Sequence, residues 1–203
     1  SLSAGDALTV NSGITAGAIT LKANQDGAGA EGFTQADNTT IRGTEINITV
    51  NTGDGTGAGG AEVSNITASG ALAIATNNTL NTAGGSITRT ATSSTLSGAT
   101  SVSLITGTGS IGASGTEINL AAGQTGVVAT THGTGNIYLR DEGALTLGAI
   151  TTAGGLVDIA TAAAPGTLGS ISLSGNISAG GGKINLNAGD GSGDIDGAYT
   201  LDG

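Results

Sequence analysis

Residues 145–195 carry one phrase twice, and that repetition limits the folds open to the chain more than any other feature. The first copy is Leu145-Thr-Leu147, Ile150, Gly154-Gly155 and Val157-Asp-Ile159; the second is Ile171-Ser-Leu173, Ile177, Gly180-Gly181 and Ile184-Asn-Leu186. The copies lie about 26 residues apart, inside the period range of solenoids and arrays. In each, apolar residues alternate with small polar ones, which is the period of a strand with one buried face. A strand, a bend, a second strand and a loose turn cannot bury their own apolar face, whereas stacking on a neighbouring copy does. The expected fold is all-β, a parallel β-helix or solenoid with irregular repeats of about 26 residues, and residues 1–203 read as one domain.

The same grammar recurs along the chain. It appears as Leu8-Thr-Val10, Ile14, Ile19-Thr-Leu21; as Leu72-Ala-Ile74, Leu80, Ile87-Thr-Arg89; and as Val102-Ser-Leu104, Ile111, Ile118-Asn-Leu120. Arg89 stands where the pattern calls for an apolar residue. Either the strand shifts register there or its end opens to solvent, because an unpaired buried guanidinium is costly. Gly43-Thr-Glu-Ile-Asn-Ile48 echoes Gly115-Thr-Glu-Ile-Asn-Leu120, and the Asn-rich strand at 45–51 echoes Ile184-Asn-Leu186-Asn187; both pairs read as duplicated units. The polar stretch from Asn24 to Thr40 is too long for a tight corner and reads as a protruding loop, where repeat proteins place recognition. Pro165 falls between strand runs, at a corner.

Composition fits a narrow interior that repeats in register. The chain has 39 glycines, one Phe (Phe33), two Tyr (Tyr138 and Tyr199) and no Trp, Met or Cys, so aromatic rings cannot fill its core and stacked Ile, Leu, Val and Ala must. Mean hydropathy is +0.18, above what disordered chains show. Glycine density argues against helices. Net charge is −10, a balance that repels phosphate backbones and argues against nucleic acid. No apolar run reaches the length of a membrane span, so no membrane insertion is expected. With neither a starting Met nor a signal peptide, Ser1 reads as the start of a processed or excised segment.

Chemistry-bearing residues cluster best at His132, Tyr138, Arg140, Asp141 and Glu142, which could serve acid–base work or hold a metal. Against that, Arg140-Asp141-Glu142 before Gly143 reads as a charged turn, and the expectation is that the chain is no enzyme and has no catalytic set. Asp190, Asp194 and Asp196 are spaced with glycines as in oxygen-ligand calcium loops. They lack the bidentate Glu of an EF-hand and the tandem nonapeptides of calcium β-rolls, so Ca2+ there would be weak and no other cofactor is expected. Asp54, in the related turn, has no second acid near it. The glycine runs lack the Lys-Ser/Thr of a phosphate cradle, and the Asn-x-Ser/Thr triplets follow from composition. Thr-x-Thr runs such as Thr88-Arg-Thr90-Ala-Thr92 do not recur at the repeat period, which sets ice binding behind the other readings.

Gly143-Ala-Leu-Thr-Leu-Gly-Ala-Ile150, Ala153-Gly-Gly155 and Ser170-Ile-Ser-Leu-Ser-Gly-Asn-Ile177-Ser-Ala-Gly-Gly resemble the repeats of filamentous-haemagglutinin-like exoproteins, the large bacterial adhesins exported by two-partner secretion. The likeness covers most of the chain and is strongest at 8–21, 102–120 and 144–195. It implies a right-handed β-helix at the bacterial cell surface or outside the cell, acting as a stalk or adhesive fibre. The polar secretion domain such proteins carry is not recognisable in this chain. Expected partners are flanking repeats or further copies stacked end to end, and a host-surface or glycan receptor. The alternative is a carbohydrate-binding or carbohydrate-active β-helix protein.

Overall fold

The computed structural model describes residues 1–51, 56–77, 83–161 and 169–189 and the short strands at 195–196 and 201–202. Within these the chain is all-β, with no helix and with parallel pairing between successive coils. The expected solenoid is what the chain forms.

Each early coil contributes a strand to three faces. The first face stacks nine strands in chain order: Leu2–Ser3, Ala18–Ala23, Glu45–Val50, Ala71–Ala75, Ser101–Thr106, Val127–Thr131, Leu145–Thr152, Ile171–Leu173 and Ile195–Asp196. The second holds Leu8–Val10, Phe33–Gln35, Ala61–Val63 and Ile87–Arg89. The third runs through Ile14–Thr15, Thr40–Gly43, Asn65–Ala68, Leu96–Gly98, Ile118–Leu120, Ile137–Asp141, Val157–Thr161 and Ile184–Asn187. Ile137 pairs with Ile111, which itself pairs with Ile87 of the second face, while Leu139 pairs with Ile118 of the third. From that coil onward one strand serves both faces, and the three-sided cross-section narrows.

Alternation decides which side chains point inward, and parallel register lines them up. Ile19, Ile46, Leu72, Val102, Val127, Leu147 and Leu173 form one continuous ladder on the first face. Leu21, Ile48, Ile74, Leu104, Ala129, Ile150 and Ile177 form a second beside it. Nearly all are fully buried in one core cluster that extends from Val10 to Ala179. Each buried Ile or Leu contributes about 1.5–3 kcal/mol. The copies at 145 and 171 meet as their repetition requires, Leu145 on Ile171 and Val157 on Ile184. Ile150, isolated in the sequence, continues the strand that begins at Leu145, past a bulge at Gly148-Ala149.

Some echoes do not stack. Ile46 to Ile48 lies on the first face but Ile118 to Leu120 and Ile184 to Leu186 lie on the third, so these phrases are not duplicated units. A short apolar-polar-apolar run satisfies any face of the coil, and the spacing to its neighbours decides which. Leu80 and Pro165 lie outside the described residues.

The corner between first and second faces is built from small residues. Thr76, just past its first-face strand, and Thr106, Thr131 and Thr152, at the ends of the next three, are buried in the position Val50 and Ala23 hold in earlier coils. The Thr106 hydroxyl donates to the Gly109 carbonyl at 2.6 Å, and Thr131 and Thr152 both donate to Gly135, at 3.0 and 2.8 Å. The recurring threonines therefore face inward at a corner. Gly109, Gly135, Gly155 and Gly182 stack beside them so closely that a Cβ on Gly135 would fall 2.1 Å from the Gly109 carbonyl oxygen, and one on Gly182 would fall 2.0 Å from that of Gly155. In the earlier coils asparagines fill the next position. Asn24 and Asn51, both buried and both at positive φ (50° and 63°), are linked by a 2.6 Å bond from Asn24 Nδ2 to Asn51 Oδ1.

Candidate functional site

A concave site of about 360 Å³ opens on the outside of the second face. Its floor is Gly32, Gly60 and Gly85 with Phe33 and Ala61, and one wall is the outward row Thr34, Glu62 and Thr88. That row comes from three successive strands in register, Thr34 beside Glu62 and Glu62 beside Thr88. Coil spacing of about 4.8 Å sets the interval between them. Glu62 is exposed, and Thr34 and Thr88 are half-buried. None of the three side chains bonds to another described residue.

The expected loop at 24–40 is not one loop. Only 24–32 bulges at the corner; Phe33–Gln35 is a second-face strand with Phe33 fully buried, and 36–39 is the turn to the third face. Phe33 is the chain's one Phe and its bulk is taken up in the core. Gln35, also buried, accepts from Ser64 N–H at 3.1 Å and donates to the carbonyls of Thr39 and Asn65. The loop's end, Ala30 and Gly32, does border the groove.

The cluster at 132–142 separates. His132 follows Thr131 at the corner between first and second faces, while Asp141 ends a third-face strand at another corner. Along Ile137–Asp141 the alternation turns Tyr138 and Arg140 outward and Asp141 inward. The Asp141 carboxylate is fully buried in the position that Leu120 and Ile66 hold in earlier coils. It accepts N–H bonds from Gly143 at 2.7 Å and from Gly123 and Gln124 at 3.3 Å. Burial raises its pKa above the ordinary carboxylate value, against the pull of those three N–H groups. This residue holds a corner together.

Arg89 keeps its register, directly beside Val63, and its side chain is 8% exposed. Neither a shifted register nor a solvent-open end accommodates it. Instead Nη1 donates to the Thr92 carbonyl, and Nη2 lies 3.9 Å from Glu117, carried by a small hairpin at 112–117 in the next coil. Asp54, Asp190 and Asp194 lie outside the described residues; Asp196 is placed in backbone only, beside Ser172. No group of three or more His, Asp or Glu among the described residues is arranged to hold a metal ion.

The groove left no readable trace in the sequence, because Gly32, Gly60 and Gly85 are three glycines among 39. The place of Gly32 and Gly60 immediately before a second-face strand, with Gly85 one residue further back in the next coil, was the available signal. No family model matches the chain, and neither a curated protein nor a solved structure matches it.

Proposed function

We propose that this solenoid is a structural, non-enzymatic segment of a secreted bacterial surface protein, a stiff spacer with any adhesive contact made from its outer surface. The observation that carries this reading is the pair of unbroken inward ladders on the first face, which turn chain length into rod length coil by coil. Nine strands at about 4.8 Å spacing give a rise of roughly 40 Å. The first coil supports assembly in series. Leu8–Val10 and Ile14–Thr15 have a described strand partner on one side only, and Leu2 is 51% exposed. Such edges pair with further strands of the same kind, from flanking repeats or a second copy. The resemblance of 143–155 and 170–181 to exported bacterial adhesins supports the location.

Antibody labelling of intact producing cells, with bead adhesion to host cells and electron microscopy of purified protein, tests the reading. Surface label and rods whose length scales with the number of coils are expected. Protein confined to the cytoplasm would overturn the extracellular assignment, and compact particles would overturn the spacer.

A further inference from the structure

We propose that the groove beneath Thr34, Glu62 and Thr88 is a binding site for a neutral saccharide chain lying along the solenoid axis. This stands on the geometry of the second face and does not depend on the spacer reading.

The residue just before each second-face position is Gly32, Gly60, Ser86, Ser110 and Asn136 in successive coils. In the later coils its side chain caps the backbone N–H of the equivalent residue in the next coil. Ser86 Oγ accepts from Ser110 N–H at 3.0 Å, Ser110 Oγ from Asn136 N–H at 3.0 Å, and Asn136 Oδ1 from Leu156 N–H at 2.7 Å. The series fails where the groove begins. Gly32 and Gly60 have no side chain to offer, so the N–H groups of Gly60 and Ser86 find no partner among the described residues. The missing side chains would have lain against them: a Cβ on Gly32 would sit 3.1 Å from Gly60 N, and one on Gly60 would sit 3.4 Å from Ser86 N. Among the described residues the groove thus presents two uncapped backbone donors on its glycine floor. The row beside that floor carries a carboxylate between two hydroxyls.

Those groups select a class of ligand. The N–H pair requires acceptors and the Glu62 carboxylate requires donors. An anion supplies only acceptors and meets Glu62 and a chain of net charge −10. An ammonium supplies only donors and leaves the N–H groups unserved. A peptide has both, yet its side chains on one face repeat at about 6.6 Å, out of step with coils about 4.8 Å apart. Sugar hydroxyls donate and accept at once, so a single ring can serve both the N–H pair and the carboxylate. The glycine floor admits the flat face of a ring.

The test is titration of isotope-labelled protein with cello-, chito- and malto-hexaose, with a heparin-derived hexasaccharide as the anionic comparison, read by amide chemical shifts. At millimolar probe the Gly60 and Ser86 amides should move most for at least one neutral chain. Glu62→Gln should weaken that binding about tenfold or more, and Thr88→Val should weaken it further, with Tm unchanged for these outward positions. Absence of shifts at Gly60 and Ser86 with every neutral probe, tighter binding of the sulfated chain, or undiminished binding by Glu62→Gln would each overturn the proposal.

Discussion

Arg89 and Glu117 meet at 3.9 Å across adjacent coils, the guanidinium from an inward ladder position and the carboxylate from the 112–117 hairpin. The Arg89 Nε is buried without a partner, so the pair is incompletely satisfied. Glu117 also accepts from Gly115 N–H at 3.0 Å. Its pKa is held below the usual value chiefly by its own backbone N–H and, against partial burial, by Gly115 N–H and Arg89.

At 3.9 Å, and with the Glu117 side chain 29% exposed, this pair is long and partly open to water on the carboxylate side, so it is worth little. Glu117→Gln is expected to cost under about 1 kcal/mol, and the loss should vanish in molar salt. Arg89→Leu, which returns an aliphatic side chain to the Val63 ladder, should hold or raise Tm, while Arg89→Ala should lose about 1–2 kcal/mol through its packed stem. Urea melts at low and high salt check all three; a large salt-independent loss in Glu117→Gln would show that the pair matters more than its exposure suggests.

Asn51 joins three coils. It accepts from Asn24 and donates to the carbonyls of Gly59 at 3.0 Å and Thr76 at 2.6 Å. Asn51→Ala strips these bonds and leaves at φ 63° a residue without the polar side chain that lets Asn tolerate that conformation, so a loss of about 3 kcal/mol or more is expected. Asn51→Gly tolerates the backbone but not the lost bonds, and should be better than Ala by about 1 kcal/mol. Equal losses in denaturant melts would remove the backbone part of the argument.

Two glycines separate contact from composition. Gly135→Ala forces a Cβ to within 2.1 Å of the Gly109 carbonyl oxygen and should cost at least about 3 kcal/mol or prevent folding. Gly17→Ala, with nothing within 4 Å of its Cβ, should change stability by no more than about 0.5 kcal/mol. Thermal melts of both variants compare them directly.

Asp141 has a raised pKa in the folded state. Its contribution is fully present below the unfolded carboxylate value and falls as pH rises through the raised folded value. The stability of the parent relative to Asp141→Asn should therefore decline between about pH 4 and the raised value. Asp141→Ala should lose about 2–3 kcal/mol at acidic pH by stranding the N–H groups of Gly123, Gln124 and Gly143. A parent-minus-Asn difference that is flat with pH would contradict the assignment.

Alternation, the spacing of about 26 residues and the near-absence of aromatic rings were enough to determine a stacked parallel coil, because a strand that buries one face and repeats at that interval has few other ways to exclude water. Leu145 over Ile171 was legible for that reason. Which face a run occupies was not: Ile46 to Ile48 and Ile118 to Leu120 share a phrase, but the corner lengths between them assign the first to one face and the second to another. The tertiary structure alone decided where Asp141, Arg89 and Phe33 point, and that beside Gly32 and Gly60 two backbone donors have no partner among the described residues. Those outcomes depend on what lies one coil away, and a residue's own neighbours in the chain do not carry that information.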